Sequence, residues 1–300
     1  MSTPAKPPIK WVGGKTQLLP QIQPLLPKRI GTYYEPFIGG GAVFWSLADR
    51  LRATPRVIND RNTELINCYK VIRDFPEDLM QRLTQTEQWY AESPQAVYAT
   101  IRNSDALHGG SWADPVGRAA RFILLNKAGF NGLYRVNRAG KFNVPWGKKL
   151  TVKTFDRANI LACSAALAGT VSITNGDYWD AVQPAQENDL VYFDPPYVPA
   201  SPTASFTSYT ASGFGEAEQR QLGGHFRLLY NRGVNCILSN SDTPLVREIY
   251  QGFEMTPVQA RRAINCKGDA RGTVGELLIC SRPDRAADLK RYLDGSCTFT

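Results

Sequence analysis

The stretch Asp194-Pro195-Pro196-Tyr197 carries the residue types best suited to chemistry in this 300-residue chain. Two prolines hold the backbone in an extended course beside a carboxylate. Proline has a carbonyl and no N–H, so carboxylate and carbonyl together offer two acceptors for the two hydrogens of an amino group. Tyr197 adds a flat face on which a ring can stack. The set suits an aromatic amine, and as a bare pattern it also fits a rigid strand-to-loop turn. A second group is Glu35-Pro36-Phe37-Ile38-Gly39-Gly40-Gly41, followed nineteen residues after Gly41 by Asp60. Glycines let the chain turn tightly and let a ligand approach the backbone. An acid at the end of the next strand accepts hydrogen bonds from ribose hydroxyls. The pair fits an adenosine-containing ligand; it also fits a left-handed turn with a helix-capping acid.

Two other chemistries are excluded by single positions. Trp11-Val12-Gly13-Gly14-Lys15-Thr16 ends like a phosphate-binding loop, but Ile9 stands where the first glycine is required. The dinucleotide fingerprint needs a third glycine at position 44, which is Phe44. His108 and His225 lie far from any paired cysteines, and the six cysteines (68, 163, 236, 266, 280 and 297) contain no CxxC pair. Neither a zinc site nor a disulfide framework is expected, and no metal is assigned.

The elements that must carry these residues follow from pattern. Residues 32–35 and 56–60 read as strands, with a glycine turn and a helix over 42–51 between them, which opens a βαβ unit. A helix follows from 63 to about 73. From 76 to about 127 the pattern is helical, broken at Pro94 and at the His108-Gly109-Gly110 loop. A Gly/Asn-rich basic stretch over 128–149 is neither helix nor strand. Then a helix over 155–167, strands at 171–175 and 190–193, a polar loop over 199–212, a helix over 216–232, a strand at 235–239, a short helix at 244–250 and a last strand at 275–280 resume the alternation. The run Leu190-Val191-Tyr192-Phe193 reads as a buried parallel strand. Ligands bind at the carboxyl ends of strands in open α/β sheets, which is where Asp194 falls. The simplest architecture is one α/β sheet interrupted by a helical, basic insertion.

Charge points the same way. The chain carries 35 Lys+Arg against 27 Asp+Glu, a net +8. Residues 118–157 hold ten basic residues against Asp156 alone, so the whole excess lies in forty residues. Phe130, Tyr134, Phe142 and Trp146 are interleaved there, able to pack or to stack on bases. Such a window suggests a polyanion site, against the plain alternative of a solvated basic surface. Hydrophobic residues at 43% exclude wholesale disorder. No apolar run approaches the ~18 residues of a membrane span, and the N-terminus lacks a signal-peptide core. A reduced, cytoplasmic protein of enzyme size is expected.

The motifs together resemble the DNA adenine methylases of the Dam family. The matching pieces are KWVGGK at 10–15, YEPFIGGGAVF at 34–44, VIND at 57–60, NGLYRVNRAGKFNVPWG at 131–147, GDYWD at 176–180 and DPPY at 194–197. They span roughly residues 9 to 200. DPPY alone occurs in other amino-group methylases; with KWVGGK and the NGLYR block it is far more specific.

The resemblance implies a Rossmann-like, seven-stranded methyltransferase sheet with one reversed strand, and S-adenosylmethionine as methyl donor. It implies a catalytic domain over 1–75 and 154–300 and an inserted, mainly helical DNA-target-recognition subdomain over 76–153. It implies a site-specific adenine-N6 methyltransferase acting on a flipped adenine in double-stranded DNA, with GATC the usual target. Asp194, Pro195, Pro196 and Tyr197 are then catalytic, with Asp194 and the Pro195 carbonyl holding the amine. Trp11, Lys15, Glu35, Phe37, Gly39, Gly41, Asp60, Asp177, Tyr178 and Asp194 are carried over to the cofactor. Lys10, Phe130, Asn131, Leu133, Arg135 and Asn137 are carried over to DNA, with Phe130 where the family often has Tyr. No obligate protein partner is implied, and a monomer is expected. Amino methylation of another DNA sequence or of RNA, and a non-catalytic DNA-binding regulator, are the rival readings.

Overall fold

A computed structural model describes residues 4–104, 112–137, 139–199, 213–260 and 274–294. The loop over 200–212, the His108-Gly109-Gly110 break, Arg138, Cys266 and Cys297 lie outside the described residues.

Seven strands form one sheet: β1 (Tyr33–Glu35), β2 (Arg56–Asp60), β3 (Val171–Asn175), β4 (Leu190–Phe193), β5 (Asn235–Ser241), β6 (Glu254–Ala260) and β7 (Val274–Cys280), in spatial order β3-β2-β1-β4-β5-β7-β6. Pairings from β3 to β5 are parallel, and β7 runs antiparallel to both β5 and β6. The sheet thus has the seven-stranded, Rossmann-like form with one reversed strand that the resemblance implies. The order reverses between β1 and β4, which makes the space beyond their carboxyl ends a natural ligand crevice.

Side chains alternate across this sheet as the two-residue strand period requires. Tyr33, Tyr192 and Ile237 enter one core, and Tyr34, Val191, Phe193, Cys236 and Leu238 enter the other. The first core is closed by α1 (Leu19–Ile22), α2 (Ala42–Leu47), α3 (Thr63–Asp74) and α7 (Arg157–Leu167), and the second by α9 (Glu216–Asn231) and α10 (Pro244–Ile249). The first core continues into α4 (Pro76–Glu92), α5 (Pro94–Asn103) and α6 (Pro115–Ala128), through Leu79, Tyr90, Tyr98 and Leu124. Local chemistry sets the helix starts. Asn62 caps α3 by accepting from the N–H groups of Glu64 and Leu65, and Asp114 with Pro115 opens α6.

Four elements depart from the sequence expectation. The helix expected over 42–51 ends at Leu47. Strand β6 was not foreseen, because Pro257 interrupts its pattern; β6 is an edge strand, where a missing N–H is tolerated. The short helix α8 (Tyr178–Val182) and the terminal helix α11 (Pro283–Leu293) were also unassigned.

Candidate active site and nucleic-acid interface

The glycine turn follows β1 and wraps around a tryptophan. A Cβ on Gly39 would lie 2.6 Å from Trp11 Nε1, and one on Gly40 would lie 2.8 Å from Trp11 Cβ. Gly39 and Gly41 also have φ of +46° and +69°, a region that favours glycine. Gly41 begins α2, and Trp45 Nε1 donates back to the Gly40 carbonyl at 3.1 Å. Asp60, at the end of β2, ties this loop down: Oδ2 accepts from Gly39 N at 3.1 Å and Oδ1 from Asn62 N at 2.9 Å. Burial raises the Asp60 carboxyl, and these two N–H groups oppose that rise. Phe37 stacks on Tyr178 with ring centroids 5.0 Å apart. Tyr178 is held in turn by a hydroxyl contact to His225 Nδ1 at 2.9 Å, so His225 supports this aromatic wall. Asp177 caps α8 through Trp179 N. A narrow glycine cradle, an aromatic wall and an acid at a strand end fit the methionine, adenine and ribose parts of S-adenosylmethionine.

Asp194 follows β4 directly and meets Lys15. The Nζ of Lys15 lies 2.7 Å from Asp194 Oδ1, 4.6 Å from the Tyr197 ring centroid, and donates to the Gly13 carbonyl at 2.5 Å. Burial raises the Asp194 carboxyl, and Lys15 and then a Ser239 hydrogen bond oppose the rise. The rest of the segment is clamped from β5, β7 and α9. Gln219 Nε2 donates to the Pro196 carbonyl at 2.7 Å, Tyr197 Oη donates to Glu276 Oε2 at 3.0 Å, and Val198 N donates to Asn240 Oδ1 at 3.1 Å. The Pro196 carbonyl is therefore engaged in holding the loop. Glu35 is buried beneath, on the same face of β1 as Tyr33, and accepts from the Tyr33 hydroxyl at 2.6 Å. Burial pushes its carboxyl up to about 8.

The basic stretch forms a small hairpin-like module on the other side of Trp11, whose ring stacks on Tyr134 at 6.0 Å. Isolated bridges join Gly129 to Trp146 and Val136 to Phe142. Asn137 makes the turn: its side chain accepts from Ala139 N and Lys141 N, both at 3.0 Å. Asn131 has φ +54°, a left-handed conformation that asparagine tolerates. The fully buried Asn126 joins the module to the N-terminal segment. It accepts from Lys10 N and donates to the carbonyls of Lys10 and Gly132. Arg135 Nε donates to Asn143 Oδ1 at 2.7 Å, an exposed contact. Phe130 is 45% exposed. Leu133 is half-buried against the core.

The ten basic residues do not all face solvent. Arg118 forms a bidentate pair with Glu64 and Arg121 donates to the Ile101 and Arg102 carbonyls, whereas Arg157 stays exposed in its pair with Glu77. Of the four aromatics, Tyr134 packs on Trp11, Phe142 is buried, and Trp146 donates to the Tyr90 hydroxyl, which leaves Phe130 as the presented ring. Burial, then Lys10 and Lys149, lower the Lys127 ammonium, so three cations share one small region.

Asn126, Gln219, Ser239, Asn240 and Glu276 were not foreseen as site residues. Their only sequence signal is a polar side chain at an apolar phase of a helix or strand. Among the described residues no group of three or more His, Cys, Asp or Glu could hold a metal, and no helix is long and apolar enough to cross a membrane.

Similarity to known proteins agrees with this geometry. The chain is 42% identical over 275 residues to the Type II methyltransferase M1.LlaDCHI of Lactococcus lactis subsp. cremoris, covering 91% of this chain and 94% of that protein. It is 40% identical over 285 residues to the Type II methyltransferase M.MjaIII of Methanocaldococcus jannaschii, covering 91% and 98%. It is 34% identical over 284 residues to the DNA adenine methylase of Salmonella typhi, covering 94% and 98%. The sequence profile of the D12 class N6 adenine-specific DNA methyltransferases matches residues 11–264, and the chain belongs to that family of adenine-N6 DNA methyltransferases.

Proposed function

We propose that this enzyme methylates the N6 atom of an adenine flipped out of duplex GATC, with S-adenosylmethionine as donor and as a monomer, and that residues 76–153 recognise the target. The observation that carries the reading is the cluster at Asp194. A lysine ammonium there is held by a carboxylate, a carbonyl and an aromatic face, the same kinds of partner that an adenine amine requires.

When bound, S-adenosylmethionine supplies a methyl group made electrophilic by its sulfonium. The work of the chain is to make a poor nucleophile attack it. Asp194 and the Pro195 carbonyl accept the two amine hydrogens, which localises the nitrogen lone pair out of the ring and aims it at the methyl carbon. Transfer of that methyl group would leave a surplus proton on the nitrogen, and Asp194 is placed to take it. Tyr197, held by Glu276, gives the base a face to stack on. The amine of a stacked, paired adenine is out of reach, so the base must leave the helix. Asp60, the glycine turn, Trp11, and the Phe37 and Tyr178 rings hold the donor. Arg135 reads a guanine edge, Lys10 and Asn131 contact bases, Leu133 and the exposed Phe130 wedge beside the vacated site, and Asn137 shapes the hairpin. The Lys10, Lys127 and Lys149 cations attract the phosphate backbone. The resemblance to the Dam family, with relatives named DNA adenine methylases, supports GATC as the target.

Methyl transfer from labelled S-adenosylmethionine to unmethylated duplex, followed by digestion with enzymes that cut GATC according to its methylation, tests the reading. Protection confined to GATC is expected. Transfer to adenine without that protection refutes the target assignment, and transfer to RNA alone refutes the substrate class.

A further inference from the structure

The strand period places five polar side chains on one face of the sheet centre: Tyr33 and Glu35 on β1, Tyr192 on β4, Asp194 just beyond it, and Ser239 on β5. The β4–β5 register pairs Tyr192 with Ile237 and Phe193 with Leu238, so Ser239 falls beside Asp194. Ser239 Oγ donates to Asp194 Oδ1 at 3.1 Å. The Tyr192 hydroxyl lies 3.1 Å from the same Oγ. A serine has one hydroxyl hydrogen, and Ser239 gives it to the carboxylate, so Tyr192 must be the donor to Ser239. The result is a directed chain from Tyr192 to Ser239 to Asp194. Both hydroxyl residues are fully buried. Low dielectric and mutual polarisation strengthen such chains.

The chain ends on a particular oxygen. Lys15 also contacts Oδ1, at 2.7 Å, so two donors converge on one carboxylate oxygen. We propose that Ser239, backed by Tyr192, is a positioning residue of the methyl-transfer reaction: it fixes the Asp194 carboxylate through Oδ1 and presents Oδ2 to the adenine amine. This rests on the assignment of Asp194 as the amine acceptor. Lys15 reaches the same oxygen through a long side chain from the N-terminal segment, whereas Ser239 belongs to a central strand and is fixed with the sheet. The charged or titratable groups around Asp194 are Lys15 from the N-terminal segment, Tyr33 and Glu35 from β1, Tyr192 from β4, Tyr197 from its own loop, and Glu276 from β7 behind Tyr197. Of these and Ser239, only Lys15 and Ser239 hold the carboxylate in its ionised form.

The test is Ser239→Ala and Tyr192→Phe in the full-length enzyme on duplex substrate, read by single-turnover rate, KM for both substrates and the pH profile of the rate. Loss of one hydrogen bond to a charged group predicts a rate about ten- to a hundredfold lower for Ser239→Ala. Both KM values should stay within about twofold, because the lost bond orients a group without binding donor or DNA backbone. The acid limb of the profile should move to higher pH, a change that general loosening of the fold would not produce. Tyr192→Phe should shift rate and acid limb the same way by less, and it keeps the proposal testable if Ser239→Ala folds poorly. Wild-type rate and an unmoved acid limb in both variants overturn the relay, provided Asp194→Asn is inactive. Full activity of Asp194→Asn instead overturns the site assignment, and the relay with it.

Discussion

Lys15 Nζ lies 2.7 Å from Asp194 Oδ1, which joins a residue of the N-terminal glycine segment to the acid at the end of the central strand. They are 179 positions apart in the chain, and the contact exists only because the segment before β1 folds back over the carboxyl ends of β1 and β4. Burial raises the Asp194 carboxyl, and Lys15 is the larger of the two influences that oppose this. Lys15→Met removes that opposition. Asp194 must be ionised to accept an amine hydrogen, so the acid limb of the methyl-transfer profile should move to higher pH in Lys15→Met. An unmoved limb would show that Lys15 does not set the Asp194 charge during turnover.

Gly39→Ala should cost both stability and donor affinity. The new Cβ would sit 2.6 Å from Trp11 Nε1 at a φ of +46°, so strain and collision act together. A destabilisation of about 1–3 kcal/mol is expected, with altered Trp11 fluorescence and weaker S-adenosylmethionine binding by calorimetry. Wild-type melting and binding would mean that the loop yields without loss.

Arg135→Ala should cost about 1–3 kcal/mol on the cognate site and relax discrimination at one base pair by the same amount, with little change on sites already mismatched at that pair. Methylation of a panel of single-position GATC variants measures this. A uniform loss across the panel would make Arg135 a phosphate contact. Asn143→Ala, which frees the Arg135 fork, should weaken the same preference to a smaller degree.

Glu35 gives a stability signature with a definite sign. Burial pushes its carboxyl up to about 8 from an ordinary 4.5. Between those values the folded chain holds a proton that the unfolded chain has released, so this group's contribution to stability falls as pH rises through the window. Glu35→Gln removes that proton exchange. The melting temperature of the wild type should drop more between pH 5 and pH 9 than that of Glu35→Gln. Parallel curves would place the Glu35 carboxyl in its ordinary range.

Much of the catalytic half is legible in the chain itself. The strands at 56–60, 171–175 and 190–193 fall where pattern places them, because each is a short apolar or β-branched run closed by polar residues. The acids at their ends follow, since a strand end is a local feature. The glycine turn is equally local, as its positive φ values are written in residue type. Tertiary structure decided the rest. Strand β6 is stable only because β7 pairs with it at an edge where Pro257 does no harm. The inward turn of Arg118 toward Glu64 spans 54 residues, and no charge count shows it. Ser239, Asn240, Glu276 and Gln219 are ordinary polar residues until the register of β5 and β7 and the packing of α9 set them against the segment from Asp194 to Val198. Sequence names the groups with unusual chemistry; only packing selects which common side chains hold them, because those contacts are set by strand pairing and helix packing between residues remote in the chain.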